Sequence, residues 1–169
     1  FCNSGAPEKF LAWASGLGSY GKNSLIINKI LGSEFIIAGL LLFYPILTIP
    51  KLNIPGPPGD ICGSCRACLD ACPSHAISEP GHIDQSLCIQ ALSTKLIVLP
   101  VDIKKAFSNR IYGCQVCQEV CPYNQGLSLE NLITRGELGS RVLLKTILQK
   151  TPEELVVYFK NTVLGSSWI

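Results

Sequence analysis

The sequence predicts an α+β fold in three parts, and three observations support this prediction. Residues 1–56 combine a short helix pattern with apolar runs, which is typical of an α/β segment. A stretch rich in Pro and Gly, 54–60, then marks a boundary, and eight of the nine cysteines lie between positions 62 and 121. Residues 127–169 show helical patterns. We therefore divide the chain into an α/β segment (1–56), a cysteine domain (57–126) and a helical C-terminal segment (127–169).

The N-terminal segment begins with a predicted helix from Pro7 to Ala14, because Pro favours the first helical turn and Gly16 ends the pattern. Two strands are predicted next, at 24–28 and 33–43, with a turn at Gly32 between them. Both are almost continuously apolar, which is typical of strands covered on both faces. The segment is too small to cover them itself, so we expect other protein surface to do so.

Hydropathy and charge argue against a membrane protein. The apolar run 35–50 is shorter than the roughly 20 residues of a spanning helix and contains Pro45, so we interpret it as buried strands and expect no membrane partner. The net charge of +2 includes no basic or acidic block, so charge alone indicates neither nucleic-acid nor membrane binding. The sequence contains no Met and begins at Phe1, and we expect a fragment that lacks its N-terminal part.

The C-terminal segment carries two helix signals. Thr151 and Glu154 form a capping box with Pro152 at the first helical position, which predicts a helix start. Leu143, Leu144 and Ile147 recur at helical spacing, and we interpret them as core residues.

The cysteines form a repeat with an offset of 49 residues. CGSCRACLDACP, residues 62–73, follows the pattern C-x2-C-x2-C-x3-C-P, and CQVCQEVCP, residues 114–122, repeats its last three cysteines and its Pro. Ile111 stands where the first cysteine of the second copy would be. Cysteines this closely spaced favour ligation of one centre over disulfides, which implies a reducing compartment and a cytoplasmic location.

This pattern is that of a two-cluster bacterial ferredoxin, in which the fourth cysteine of each run crosses to the other [4Fe–4S] cluster. The first cluster then takes three cysteines of one run and the crossing cysteine of the other: Cys62, Cys65, Cys68 and Cys121. The second cluster takes two cysteines of the second run, the crossing cysteine of the first, and the spare cysteine of the domain: Cys114, Cys117, Cys72 and Cys88. We expect Cys88 to lie on a helix after Asp84 and to replace the ligand missing at Ile111. The alternative is a pair of four-cysteine zinc sites, but zinc does not need three cysteines in seven residues followed by C-P.

Four stretches, in this order along the chain, resemble the epoxyqueuosine reductase family, which is related to the cobalamin-dependent reductive dehalogenases. They are GLGSYGKNSLIIN (16–28), GSEFIIAGLLL (32–42), CGSCRACLDACPSHAI (62–77) and NRIYGCQVCQEVCPYN (109–124). The resemblance covers nearly the whole chain, and the NRIYGC match and the position of Cys88 are specific.

The resemblance implies a fold and a function. Residues 1–56 would end an α/β cobalamin-binding core, and residues 127–169 would begin a set of HEAT-like helices. The activity would be reduction of epoxyqueuosine to queuosine in the anticodon loop of a tRNA, with electrons passing from an unidentified donor through the clusters to cobalamin. Gln90, Gln115, Lys22 and Asn23 occupy positions that the resemblance places near the cofactors. The alternatives are solvent-facing amides for the two glutamines and ordinary turn chemistry for Lys22 and Asn23.

The chain departs from the family where the proton donor is expected. Family members have a carboxylate there, and this chain has Asn3, or Cys2 on another gap placement. An amide does not donate a proton as a carboxylic acid does, so the catalytic residue is unknown. Glu8 lies nearby but suits a solvated charge at a helix N-terminus. Leu40 and Gln90 also replace the Glu and Ser that the family favours.

Three functions follow from these observations. The first is an epoxyqueuosine reductase, the second a ferredoxin-type electron carrier without catalysis, and the third a cobalamin-dependent reductase of another substrate such as an organohalide. A small basic group, Lys104, Lys105 and Arg110, suits either tRNA phosphate or a solvated helix face. His75 and His82 are not expected to be ligands, because eight cysteines already suffice.

Overall fold

The computed structural model describes residues 5–43, 55–95, 98–126 and 142–165 of the 169-residue chain. Its helices are α1 (Glu8–Ala14), α2 (Ala67–Ala71), α3 (Ile89–Leu92), α4 (Val101–Phe107), α5 (Val116–Glu119), α6 (Leu144–Leu148) and α7 (Pro152–Tyr158). Its strands are β1 (Ser19–Tyr20), β2 (Ile26–Ile27), β3 (Ile77–Glu79) and β4 (His82–Ile83), which pair as two antiparallel hairpins. Turns of 3-10 helix cover Asp60–Cys62, Pro122–Asn124 and Val163–Gly165. The predicted mixture of helices and strands is confirmed for these residues.

The predicted helix and turn of the N-terminal segment are confirmed. α1 ends just before Gly16, whose φ of 75° lies in the left-handed region that favours glycine. Asn28 and Gly32 exchange backbone hydrogen bonds of 2.8 and 2.9 Å. The side-chain oxygen of Asn28 also accepts the N–H groups of Ile30 and Leu31, which closes the turn.

The two strands predicted on either side of this turn form only in part. Ile26 and Ile27 form β2, but they pair with β1 and not with the segment after Gly32. The strand predicted at 33–43 is wrong, because these residues form no strand. An apolar run becomes a strand only where neighbouring backbone can pair with it. Here the N–H of Ser33 donates instead to the side-chain oxygen of Asn124, at 2.7 Å.

The apolar side chains that follow Ser33 are exposed. Ile36 and Leu40 are 84% and 91% exposed, and the exposure continues through 41–43. The described residues of the chain do not cover this segment, and its coverage by other protein surface stays a prediction, while 44–50 lie outside the described residues. In the parts of the chain that the structure describes, no helix is long and apolar enough to cross a membrane.

The two cysteine runs fold alike. Arg66 precedes α2 with φ and ψ of −125° and 5°, and Gln115 precedes α5 with −122° and 5°. Each of their carbonyl oxygens accepts two N–H groups of the helix that follows. Cys72 and Cys121, which follow α2 and α5, both have extended backbone. The sequence repeat is thus a structural repeat, and α2 packs against α5.

The N-terminal segment contacts the cysteine domain directly. The N–H of Gly59 donates to the carbonyl oxygen of Tyr20 at 2.8 Å, and the N–H of Gly81 donates to that of Lys22 at 3.0 Å. Buried apolar residues come from both regions: Ala12, Ile26, Ile27, Leu69, Ala76, Ile77, Ile89, Leu92 and Ile103. These contacts cross the boundary near residue 56, and the division into three domains stays a prediction.

Ser33 forms a second junction between these regions. It is 7% exposed, and its hydroxyl accepts a hydrogen bond from Nδ2 of Asn124 at 3.0 Å. Its carbonyl oxygen accepts from Nε2 of Gln118 at 2.9 Å. The N–H, hydroxyl and carbonyl groups of this buried serine therefore all find their hydrogen-bond partners at the end of the second cysteine run.

The C-terminal helices are confirmed where the structure describes them, while 127–141 lie outside the described residues. Thr151 and Glu154 cap α7 reciprocally, with Pro152 in the first turn, as predicted. The core assignment is wrong for Leu143 and Leu144, which are 76% and 66% exposed. Helical spacing predicts an apolar face of a helix but does not predict what covers that face.

Replacing Asn124 with Ala tests the junction at Ser33. The change leaves the buried N–H and hydroxyl of Ser33 without their partner, so we expect the free energy of unfolding to fall by about 1–3 kcal/mol. Denaturant unfolding of the anaerobically reconstituted protein measures the loss. Gln125→Ala, at the exposed neighbouring position, is the control and should change stability by less than about 0.5 kcal/mol. Equal losses in the two variants would contradict the assignment.

Candidate metal centre

Four thiols line one cavity of about 260 Å³. They come from three places: the 3-10 turn that ends at Cys62, the start of α2 with Cys65 and Cys68, and Cys121 after α5. The rest of the lining comprises Lys22, Asn23, Ile27, Ile61, Ala67, Pro122 and Tyr123. These four cysteines are the set that the sequence repeat assigns to the first cluster.

Burial and mutual proximity act on these thiols. Burial raises the pKa of Cys68, and the neighbouring Cys62, Cys121 and Cys65 raise it further. Burial likewise raises the pKa of Cys121, with Cys62 and Cys65 as charged neighbours, although backbone N–H groups oppose the shift. Several thiolates confined here would repel one another, so a bound cation that neutralises them would be strongly favoured.

The second group is recognised through Cys117. Burial raises the pKa of this thiol to about 12, and the next largest cause is Cys114. Cys88 and Cys72 also act on it, as does Cys68 of the first group. Helix α2, which contains Cys68, packs against α5, which contains Cys117, so the two cysteine runs lie side by side. That Cys72, Cys88, Cys114 and Cys117 form one site stays a prediction.

The donor set suits two clusters. All eight cysteines between 62 and 121 are free thiols. Within the described residues, no three His, Cys, Asp or Glu side chains converge as closely as a single metal ion requires. A zinc site needs four sulfurs at about 2.3 Å from one ion, whereas a cubane holds its four thiolates at separate corners. That these eight thiols bind two [4Fe–4S] clusters stays a prediction, and the cavity that Cys62, Cys65, Cys68 and Cys121 share fits the first of them.

Helix α3 compensates for Ile111 in two ways. In the first run, the N–H of Cys65 donates to the carbonyl oxygen of Cys62 at 3.0 Å. The equivalent N–H, that of Cys114, donates instead to Oε1 of Gln90 at 3.1 Å. Ile111 itself is 47% exposed. The segment that contains Cys88, the predicted replacement ligand, thus also supplies the acceptor for the N–H of Cys114.

Local backbone geometry explains how α3 reaches the second run. Cys88 was expected to lie on a helix. It lies instead at the N-cap of α3, because the helix begins only at Ile89. Its extended φ and ψ, −66° and 116°, match the −64° and 114° of Cys72, the other ligand from outside the run. Gly113 has a φ of 75°, and a Cβ there would lie 3.1 Å from Oε1 of Gln90. A glycine therefore lets the amide approach Cys114.

Lys22 and Asn23 contact the two cysteine runs. The Nζ of Lys22 donates to the carbonyl oxygens of Gly63 and Cys65, and its backbone N–H donates to Sγ of Cys62. Asn23 is 2% exposed, and its Nδ2 donates to the carbonyl oxygen of Cys117 at 3.4 Å. Its Oδ1 accepts the N–H of Leu25, so the turn alternative also holds. Both residues adjoin the predicted clusters.

Other predicted residues lie away from the thiols or on the surface. Gln115 is an exposed N-cap, and His75 and His82 are exposed. In the basic group, Lys105 pairs loosely with Asp102 at 3.9 Å, and Arg110 donates to a backbone carbonyl. Cys2 and Asn3, the candidates at the position of the family acid, lie outside the described residues. Glu8 begins α1.

Sequence reasoning missed two polar residues at the end of the second run. The hydroxyl of Tyr123 donates to the carbonyl oxygen of Ile61 at 3.0 Å, beside the first thiol cavity. Asn124 holds Ser33 as described above. Their place directly after the C-P pair, within a stretch that resembles a known family, was the available signal.

Comparisons with known proteins agree with this site. A family model described as a 4Fe–4S double cluster binding domain matches residues 61–124. The epoxyqueuosine reductase of Leadbetterella byssophila is 45% identical over 122 residues, which are 70% of this chain and 38% of that protein. That of Escherichia coli is 40% identical over 119 residues, or 70% of this chain and 30% of that protein. By sequence, the chain belongs to the epoxyqueuosine reductase family.

Solved epoxyqueuosine reductases share the described fold. The enzyme from Bacillus subtilis matches with a TM-score of 0.70 at 29% identity, over 95% of this chain and 42% of that one. An epoxyqueuosine reductase solved with an epoxyqueuosine-modified tRNA stem loop matches with a TM-score of 0.57 at 30% identity, over 75% and 32%. The chain spans less than half the length of the epoxyqueuosine reductases that it matches.

Cys88→Ser tests the predicted replacement ligand. We expect one cluster to degrade and the other to remain, so iron should fall from about eight to about four or five atoms per chain. Iron and sulfide analysis after anaerobic reconstitution measures this. Cys2→Ser, the cysteine outside the repeat, is the control and should leave iron unchanged. Unchanged iron in Cys88→Ser would mean that Cys88 is not a ligand.

Gln90→Ala tests the second role of α3. Without Oε1, the N–H of Cys114 loses its acceptor, and we expect the second cluster to be lost faster in air while the first is retained as in the parent protein. The decay of visible absorbance, followed with iron content, reports the rate. Gln125→Ala, at an exposed position after the second run, should leave this rate unchanged. Equal decay in the Gln90 variant and the parent protein would contradict the positioning role.

Proposed function

We propose that the protein is an iron–sulfur oxidoreductase of the epoxyqueuosine reductase type, in which two [4Fe–4S] clusters supply electrons for the reduction of epoxyqueuosine in tRNA to queuosine. The observation that carries this proposal is the cavity shared by the thiols of Cys62, Cys65, Cys68 and Cys121, beside a second cysteine run that folds alike, in a chain of this family. One cluster would be bound by Cys62, Cys65, Cys68 and Cys121, and the other by Cys72, Cys88, Cys114 and Cys117. Because thiolate-bound clusters persist in reducing compartments, we assign the protein to the cytoplasm.

The number of clusters suits the reaction. Removing the oxygen of an epoxide as water consumes two electrons and two protons. Each cluster carries one electron at a time, so one electron from each supplies one turnover. Helix α2 with Cys68 packs against α5 with Cys117, and this adjacency of the two cysteine runs supports transfer between the clusters.

Cobalamin is the group that the family implies beside the clusters, and its cobalt would supply the reducing chemistry at the epoxide. Gln90 and Gln115 fit this role, since both are exposed and both adjoin Cys114. A carboxamide can hydrogen-bond the amide side chains of a corrin. Lys22 and Asn23 are already bonded to the cysteine runs, so we assign them to the clusters.

The proposed macromolecular partner is the anticodon loop of a tRNA. An epoxyqueuosine reductase of related fold was solved with an epoxyqueuosine-modified tRNA stem loop, which supports this partner. Lys104, Lys105 and Arg110 are the candidate phosphate contacts, because basic side chains supply most of such affinity. The two lysines are exposed on α4 and available for this role.

One sequence feature favours a second candidate, an electron carrier without catalysis. Where family members have a carboxylic acid, this chain has Asn3 or Cys2, and a neutral amide is not an acid catalyst. A third candidate, a cobalamin-dependent reductase of another substrate such as an organohalide, keeps the same cofactors and changes only the substrate.

Corrin binding separates the electron carrier from the two enzymes. The protein, expressed from its complete gene, reconstituted anaerobically and mixed with hydroxocobalamin, should retain about one corrin per chain after gel filtration. Gln115→Ala should lower this retention, while Gln125→Ala, another exposed glutamine, should not. Absence of retained corrin in the parent protein would overturn both cobalamin-dependent functions.

A nucleoside assay then identifies the substrate. tRNA from a strain without its own epoxyqueuosine reductase carries epoxyqueuosine. Incubation with the protein and a low-potential reductant should convert it to queuosine, as measured by mass spectrometry of the digested tRNA. Retained corrin together with unconverted tRNA would reject the epoxyqueuosine assignment in favour of another substrate.

A further inference from the structure

Lys22 comes from outside the cysteine repeat and yet bonds to the first run at three points. Its Nζ donates to the carbonyl oxygen of Gly63 at 2.6 Å and to that of Cys65 at 2.8 Å. Its backbone N–H donates to Sγ of Cys62 at 3.5 Å. Lys22 also lines the cavity that contains the four thiols of the first group. A cation therefore forms part of the wall of this site.

The surrounding backbone fixes Lys22 in this position. Its carbonyl oxygen accepts the N–H of Gly81, and that of Tyr20 accepts the N–H of Gly59. Gly59 has a φ of 87°, and a Cβ there would lie 3.0 Å from Cγ of Lys22. The glycine thus leaves the space through which the lysine side chain passes. The ammonium group is held at the first run by both its backbone and its side chain.

The second run receives neutral groups where the first receives a cation. Asn23, the next residue along the chain, donates to the carbonyl oxygen of Cys117, and Gln90 accepts the N–H of Cys114. Among the residues that the structure describes, no Lys or Arg side chain donates a hydrogen bond to residues 111–121. The repeat thus builds two similar thiol sites, and the N-terminal segment makes them electrostatically different.

We propose that Lys22 makes the first cluster the more easily reduced of the two, so that a single electron entering the protein rests there. The inference depends on the proposed clusters. Reduction adds one electron to the cubane, with no bond broken and no proton moved. A partly buried cation and an N–H directed at a ligand sulfur both stabilise the more negative state. Lys22 acts through the ligand loop, so it is a positioning residue for the first cluster.

A redox titration followed by electron paramagnetic resonance tests this role. The reconstituted protein should show two one-electron waves, and Lys22→Met should move the higher-potential wave to more negative potential and leave the other in place. Lys22→Arg keeps the charge and should restore most of the original position. Lys9→Met is the matched control, because Lys9 donates only to the carbonyl oxygen of Ser24, and it should move neither wave.

Two further variants keep the test decisive. In a Cys88→Ser background only the first cluster should remain, so the wave that Lys22→Met moves should be the one that is left. If Lys22→Met fails to bind that cluster, Lys22→Gln removes the charge and keeps an amide donor, and its potential is read instead.

The outcomes distinguish this inference from the proposed function. If the protein binds two clusters and the loss of the Lys22 charge moves neither reduction wave, the role of Lys22 is overturned. The proposal that the protein binds two clusters is then unaffected. Movement of both waves equally would also overturn it, since the effect would then be general. A colourless protein without iron and sulfide would overturn the cluster proposal itself.

Discussion

Thiols from opposite ends of the cysteine domain share the same small volume, and the rest of the structure depends on this constraint. Cys121 lies with Cys62, Cys65 and Cys68, more than fifty residues away in sequence. The arrangement forces the two repeats to face each other, and α2 and α5 pack together as a result. Free thiols in this position are poor thiolates because burial and their neighbours raise their pKa values. Metal binding and folding are therefore thermodynamically linked, as in other thiolate-bound centres.

The two cysteine runs are an imperfect repeat, and different neighbouring residues hold each of them. Ile111 stands where the repeat predicts a ligand, and the N–H of the following Cys114 bonds to Gln90 where the equivalent N–H of Cys65 bonds to Cys62. One short element, α3, carries both Gln90 and, at its N-cap, the predicted replacement ligand Cys88. The N-terminal segment treats the repeats differently as well, since Lys22 bonds to the first run and Asn23 to the second. Sequence symmetry is thus converted into two sites with different surroundings.

The association of Cys121 with Cys62, Cys65 and Cys68 could be predicted because local spacing and a known crossing rule constrain it, while the ligand role of Cys88, which followed from counting, stays a prediction. The helix at Glu8–Ala14 and the capping box at Thr151 were predictable for the same local reasons. The strand expected at 33–43 was wrong because strand formation needs a partner that composition does not reveal. The bonds of Lys22, Gln90 and Asn124 link residues 24 to 91 positions apart, so no local pattern contained them.

The hydrogen bond between Gln90 and Cys114 has a consequence for sequence variation. It brings together the two ends of the stretch 91–113, within which α4 packs against α3 with Ile103 buried, and residues 93–100 link these two helices. Each doubling of the length of a closed loop raises the entropic cost of closing it by only about 0.6 kcal/mol. Insertions and deletions should therefore be tolerated there without moving a sulfur, whereas a single residue added between Cys62 and Cys72 would break the register of the run.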